Sequence, residues 1–339
     1  MKILRMLIPA LLVAAAAPAT WSHHSGSEYD YNHIVEIEGT LVELRWQNPH
    51  VLMRVRTARS AQSPEMTWDI EGSSVSVLRR SNVDPRWLHI GDKLRVAGEQ
   101  SKRAPNRMFA HNVLASDGKE LVFHPGGEPR WNKTAMGTSG NWFEPGTPGN
   151  ASAGLFRVWS WKADDPQQLW LPEYPLTAAA KRKVAKWDPV HDDVMRGCEP
   201  KGMPTIMETP YPVEFVREGD VIRLRMEEYD TVRTIYMDPR AKPESLPKHY
   251  LGRSTGRWEG NTLVVSTDGI LWHYLDTSGV PLGTAATLTE RFTPSADGAL
   301  LRYSLVVTDP ENFTKPVELT RSWVARSGES VKRFECGKS

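Results

Sequence analysis

Val221-Ile222-Arg223-Leu224-Arg225-Met226-Glu227-Glu228, then Tyr229-Asp230, then Thr231-Val232-Arg233-Thr234-Ile235-Tyr236-Met237-Asp238, is the stretch that decides the fold. Its first half alternates. Ile222, Leu224 and Met226 share a face with Glu228, and Val221, Arg223, Arg225 and Glu227 take the other. A period of two belongs to a strand with one face on a core and the other in water. The apolar face should point inward, which sets Glu228 at the inner mouth of whatever the strand encloses. After a tight bend at Tyr229-Asp230, Val232, Thr234, Tyr236 and Asp238 share one parity. Arg233, Ile235 and Met237 share the opposite one, so the inward face of this second strand stays open.

Working outward, further short strands are expected at 205–208, 213–216, 255–258, 262–267, 287–293, 300–308 and 317–324. Glu218-Gly219-Asp220, Glu259-Gly260-Asn261 and Ala296-Asp297-Gly298 supply turns between them. With no helical segment between strands, a doubly wound parallel sheet is excluded. Locally joined short strands predict an antiparallel calycin/lipocalin-like β-barrel over 198–339, with a start near 150 as the alternative boundary. An open β-sandwich is the other architecture compatible with the pattern. A barrel of about eight strands either fills with side chains or holds one small ligand.

The N-terminal half also reads as β structure, so the chain is all-β. Five strands are expected at 34–46, 50–56, 66–70, 93–99 and 107–114, with a short helix over 73–80 capped by Ser73 or Ser74. A helix between the third and fourth of five strands is the order of a small OB-like barrel, placed at 23–125. Residues 126–197 form a Pro/Gly-rich connector containing a strand at 155–159 and one short helix near 176–186, capped by Thr177. Asp188, His191, Asp192 and Asp193 crowd together beyond that helix and read as a polar loop rather than a metal site.

Composition bounds the function. Among 339 residues, 42 Lys and Arg stand against 41 Asp and Glu, a net charge of +1. That balance supplies no basic face, so nucleic acid is not an expected partner. Lys2 and Arg5 precede an apolar run from Met6 to Ala17, too short to span a bilayer, which takes about 20 residues. Residues 1–22 therefore read as a signal peptide, cleaved after Ala17-Pro18-Ala19 or after Thr20-Trp21-Ser22, with an N-terminal membrane anchor as the alternative. The expected location is the periplasm or the exterior, with no stable membrane span. In such a compartment Cys198 and Cys336, the two cysteines of the chain, are expected to pair, two free thiols being the alternative.

His23-His24-Ser25, Gly39-Thr40, Trp46-Gln47-Asn48-Pro49-His50, Leu78-Arg79-Arg80 and Ile90-Gly91-Asp92 resemble a DUF6152-like family of exported bacterial domains over about residues 23–125. The resemblance implies compartment and fold, and no activity. Tyr211-Pro212, Glu228-Tyr229-Asp230, Arg233, Ile235-Tyr236-Met237-Asp238, Pro243 and the run from Gly256 to Val265 are similar to a second group of exported bacterial proteins, over about 198–325. Pro239, Arg253 and Ile270 depart from that group's Gly, His and Phe, and the group carries no assigned chemistry.

Three functional readings follow. In the first, the C-terminal barrel cavity binds a small apolar or aromatic molecule, with Tyr229, Arg257, Trp258, Trp272 and Tyr274 as pocket residues. In the second, the same cavity is a cofactor-independent acid–base enzyme, an isomerase, dehydratase (lyase) or cyclase. Glu228 or Asp268 would move the proton, with Arg233, Tyr236, Asp238 and His273 as further candidates for that site. Isolated ion pairs and hairpin hydrogen bonds would account for the same charges. In the third, cleavage after Ser22 leaves His23 as the first residue, and its α-amine and imidazole chelate copper. His24, His33, His50 and His111 are candidates for the remaining positions, while a solvated pair of imidazoles at a frayed end is the plain alternative. Cleavage after Ala19 would remove the amine from that site. Apart from that copper no cofactor is expected, and P-loop, dinucleotide and His-Glu-x-x-His signatures are absent.

Overall fold

The computed structural model describes residues 29–59, 64–124, 127–138, 153–161, 173–188, 192, 198–238 and 245–337. In the first body, β1 (Tyr29–Arg45) pairs with both β2 (Leu52–Thr57) and β4 (Lys93–Ser101). One strand serves two partners because it kinks at a register shift between Leu41 and Glu43. Gly39 permits the close approach there, since a Cβ would lie 2.6 Å from the Arg56 carbonyl oxygen. β3 (Met66–Glu71) follows β2, and runs parallel to β5 (Arg107–Ala115) through Ile70↔Met108 and Glu71↔Phe109. The pairings thus run β1–β2–β3–β5–β4 and return to β1, a five-strand ring, with β6 (Glu120–Val122) added beside β5. Leu41, Met53, Val55, Ile70, Val96 and Met108 are wholly buried within it. Helix α1 (Val75–Arg80) stands between the third and fourth strands, where Ser74 Oγ accepts the Val77 N–H at 3.2 Å. The five strands lie where the alternation put them, except that β1 begins at Tyr29, five residues ahead of the expected start, and the capped helix begins at Val75 rather than at 73. β6 is three residues long, too short to show a period.

The second body is a closed barrel of nine strands: β7 (Val158–Trp161), β8 (Val213–Glu218), β9 (Val221–Met226), β10 (Thr231–Tyr236), β11 (Arg253–Glu259), β12 (Thr262–Asp268), β13 (Thr287–Pro294), β14 (Leu300–Thr308) and β15 (Val317–Ala325). Closure is consistent with a calycin/lipocalin-like architecture and disposes of the open sandwich. Consecutive strands are antiparallel neighbours from β11 to β15; β7 then joins β15 to β8, and β9 returns to β10. One seam departs from the expected antiparallel pattern: β10 and β11 run parallel, through Ile235↔Ser254 and Tyr236↔Thr255. A second correction concerns Thr205–Glu208, which forms a 3-10 turn and not a strand. Thr205, Ile206 and Met207 are all buried, so consecutive side chains do not alternate between core and water.

On β10 the open parity is resolved. Arg233 and Ile235 are inside at 1% and 0% exposed, and Val232 is outside at 49%. An arginine can occupy the interior because β13 brings Glu290 opposite it. Arg233 Nη1 donates to Glu290 Oε1 at 2.9 Å, Nε to Ser254 Oγ at 3.0 Å and Nη2 to Thr267 Oγ1 at 2.8 Å. Tyr303 Oη donates to Glu290 Oε1 at 2.8 Å. Around this pair the aromatic rings meet: Phe215–Phe292 at 5.1 Å, Phe292–Tyr303 at 4.8 Å and Tyr303–Trp323 at 5.2 Å between centroids. The middle of the barrel is a packed core.

The C-terminal tail seams the two bodies together. Cys198 and Cys336 form the expected disulfide, with Cα atoms 5.8 Å apart. Next to it, Phe334 is wholly buried and packs on Tyr211 at 5.2 Å and Tyr229 at 4.9 Å. Asn48 donates through Nδ2 to the Phe334 carbonyl and accepts the Ser76 N–H at 3.2 Å. Across the seam, Arg80 of α1 meets Glu227.

Candidate functional site

The acid–base candidates are divided among separate places. Glu228 opens a short turn after β9 in which Tyr229 and Asp230 both have positive φ, 55° and 51°. It is 3% exposed; Oε1 sits 2.8 Å from Lys201 Nζ, and Oε2 is enclosed with no partner among the described residues. Burial alone would lower the Lys201 pKa, but the Glu228 carboxylate outweighs it and holds the ammonium above its usual range. Tyr229 belongs to the seam with Phe334. Arg233 is locked in the barrel core. Tyr236 is half-buried on the outward parity of β10, with Asp238 just beyond its end. Asp268 ends β12, bound to Arg253 Nε at 2.7 Å.

The pocket candidates are divided as well. Arg257 is 61% exposed and pairs with Glu259 at 2.7 Å, while Trp258 is 40% exposed and meets the edge of Phe156. These residues therefore do not line a common hollow. Trp272, His273 and Tyr274 are the candidates that stay together. Trp272 Nε1 donates to Thr205 Oγ1 at 2.7 Å, and its ring lies 6.1 Å from that of Tyr274. His23 and His24 lie outside the described residues, and among the described residues no three His, Cys, Asp or Glu groups meet as a metal site.

His273 and Tyr274 line a cleft of about 670 Å³ outside the barrel wall, together with Lys183, Lys186, Trp187 and Glu311. Three segments build it. The first is α2 (Ala178–Val184), where Thr177 Oγ1 accepts the Ala180 N–H at 3.2 Å and donates to the Glu311 carbonyl at 3.1 Å. Its chain continues one more turn to Trp187, whose N–H reaches Val184 O at 3.2 Å. The second is the 272–284 loop, braced by Leu282 N–H to His273 O at 2.8 Å and Leu275 N–H to Val280 O at 2.7 Å. Asp276 accepts from the Ser278 N–H at 2.9 Å and from Ser278 Oγ at 2.8 Å within it. The third is the 309–312 turn, where Asp309 Oδ2 accepts the Gly283 N–H at 2.8 Å.

Two features give the cleft a chemistry. The Trp187 ring lies against Gly279, where a Cβ would come within 2.3 Å of indole Cδ2 and φ is +81°. The Trp187 Nε1 is enclosed and has no acceptor among the described residues. Lys183 Nζ is bound to Glu311 Oε1 at 3.1 Å, and the Lys186 ammonium has no partner among the described residues. The slot thus offers aromatic side chains and a cationic side. Alternation points to strands, so it gave no signal for Lys183, Lys186, Trp187, Gly279 or Glu311, which lie on a helix end and in loops.

Behind the 272–276 segment, Glu208 is a further perturbed group that sequence reasoning missed. Burial first, then the neighbouring Asp276 carboxylate, push its carboxyl up to about 8 against the pull of Lys201 and Arg321. The residue itself reaches the surface in part, although its Oε1 is enclosed without a partner among the described residues.

Residues 10–108 match a family of unknown function (DUF6152), which spans β1 to β4 and the start of β5. No curated protein and no solved structure matches the chain significantly. Within the matched segment, Asn48 and Arg80 both serve the seam between the bodies. Among the described residues no helix is long and apolar enough to cross a membrane.

Proposed function

We propose that the protein is an exported binding protein that holds a small aromatic molecule carrying an anionic group in the cleft beside the barrel. The observation that carries this reading is a single hollow lined by the aromatic side chains of Trp187 and Tyr274 together with Lys183, Lys186 and His273. The packed rings of Phe292, Tyr303 and Trp323 occupy the barrel middle, so the ligand sits at the wall rather than within it. The apolar leader and the disulfide support a periplasmic or extracellular location.

Titration with 1-anilinonaphthalene-8-sulfonate tests it. One saturable site is expected, displaced by indole-3-acetate and not by uncharged tryptophol. Trp187→Ala, which removes an aromatic wall, and Lys186→Glu, which reverses a charge, should each weaken the site about tenfold. Equal binding by both variants would overturn the proposal.

A second reading, cofactor-independent acid–base catalysis, rests on Glu208, whose proton is held to about 8 near Lys201 and Glu228. It requires that a molecule captured by the wild-type chain be converted to product, and that Glu208→Gln stop the conversion while capture persists. Recovery of the captured molecule unchanged from the wild type would leave binding alone.

A further inference from the structure

Beside the seam, Lys201 and Glu228 form an ion pair that belongs neither to the barrel core nor to the cleft. Nζ lies 2.8 Å from Oε1, and the two side chains are 15% and 4% exposed. The backbone that carries each of them is pinned. Before Lys201 the disulfide holds Cys198, and after it the Met203 N–H donates to the Tyr250 carbonyl at 3.0 Å. Before Glu228, Arg80 locks the Glu227 side chain, and the Glu227 N–H reaches the Pro212 carbonyl at 3.0 Å. After it, the Asp230 N–H closes the turn on the Glu227 carbonyl at 3.0 Å. Amine and carboxyl therefore meet in one fixed orientation. Groups held in this way react as if each were present at about 10⁵–10⁸ M.

We infer that Lys201 and Glu228 condense into an intramolecular amide, a cross-link made by the folded chain itself with Glu208 as the proton carrier. Nζ bonds to the Glu228 carboxyl carbon, one bond beyond the oxygen it already touches, and the bond from that carbon to the leaving oxygen breaks. The ammonium gives up two protons, which depart with that oxygen as water. No electron changes hands and no co-reactant is needed. At rest the pair is charged, because the Glu228 carboxylate holds the ammonium. A proton must therefore move before the amine attacks, and a placed acid speeds such a step by about 10²–10⁴-fold. Glu208 is within electrostatic reach of both partners. Burial keeps its proton on up to about 8, so at neutral pH it can give a proton to the departing oxygen and take one back from the amine. Burial also sets the direction of the reaction. Charges out of water carry a desolvation penalty, and the amide replaces both with one neutral group.

The full chain is purified, reduced, alkylated and digested with trypsin, and its peptides are read by mass spectrometry. A branched peptide joining Lys201 to Met226–Arg233 is expected, with no cleavage after Lys201. Lys201→Arg keeps the charge and cannot form the link. After allowance for the substitution, the intact wild type should be lighter than this variant by one water. Glu208→Gln should lower the linked fraction at least tenfold, with circular dichroism confirming that the chain is folded. Cleavage after Lys201 in the folded wild type, at the full unlinked mass, would overturn the cross-link. A Glu208→Gln chain linked as completely as the wild type would overturn the part given to Glu208.

Discussion

Arg80 and Glu227 lock head to head across the seam between the two bodies, Nη1 to Oε1 and Nη2 to Oε2, each at 2.7 Å. Both side chains are almost wholly enclosed, 4% and 1% exposed. Removing one partner of such a pair leaves a buried charge, which costs about 3–5 kcal/mol. Arg80→Ala and Glu227→Gln should each lower stability by that order in urea denaturation. Arg80→Met combined with Glu227→Met should lie closer to the wild type than either single change. Additive losses in the double variant would show that the pair is not coupled.

The disulfide closes a span of 138 residues and holds Phe334 in the seam. Cys336→Ser should therefore lower stability by about 2–5 kcal/mol, and added dithiothreitol should do the same to the wild type. Thermal melts with and without reductant check this. A wild-type melt unmoved by full reduction would refute it.

Glu208 makes stability depend on pH in a stated direction. Its folded pKa of about 8 lies above the ordinary 4.5, so the folded chain binds the proton more tightly than the unfolded one. The contribution is complete below about pH 4.5 and is lost as pH rises through 8. Urea midpoints of the wild type should fall between pH 5 and pH 9, after allowance for other groups. Glu208→Gln, neutral throughout, should flatten that slope; a variant with the wild-type slope would place the titration elsewhere.

Gly279 lets Trp187 lie against the loop. In Gly279→Ala the new methyl group meets the indole at 2.3 Å, and a φ of +81° disfavours any Cβ. A stability loss of about 1–3 kcal/mol is expected from the backbone alone. Binding of the naphthalene sulfonate probe should drop at least tenfold. Undiminished probe binding in a folded variant would remove Trp187 from the site.

Local signals were legible. The alternation of Ile222, Leu224 and Met226 announced β9, and all three are buried. Ser74 and Thr177 cap their helices as their positions suggest, and Gly260 turns the hairpin between β11 and β12 with φ +62°. Each of these depends on residues within a few positions along the chain. The barrel's closure was legible from the number and spacing of its strands, and so was the disulfide from two cysteines in a chain whose first residues read as a signal peptide. The resemblance residues Asn48, Arg80 and Tyr211 were visible as a pattern, but their work at the seam was not.

What the tertiary structure alone decided is which distant groups meet. Arg233 reads as a catalytic candidate until β13 sets Glu290 against it, 57 residues away, and makes it a core ion pair. The parity of β10 was ambiguous for the same reason, since an arginine faces inward only where a carboxylate waits for it. The parallel β10–β11 seam and the cleft of α2, 272–284 and 309–312 come from segments that do not adjoin in the chain. Amino-acid order governs backbone periodicity, capping and turns because those forces act over a few bonds. Charge pairing, ring packing and the position of a hollow act through space, and are settled when the sheet closes.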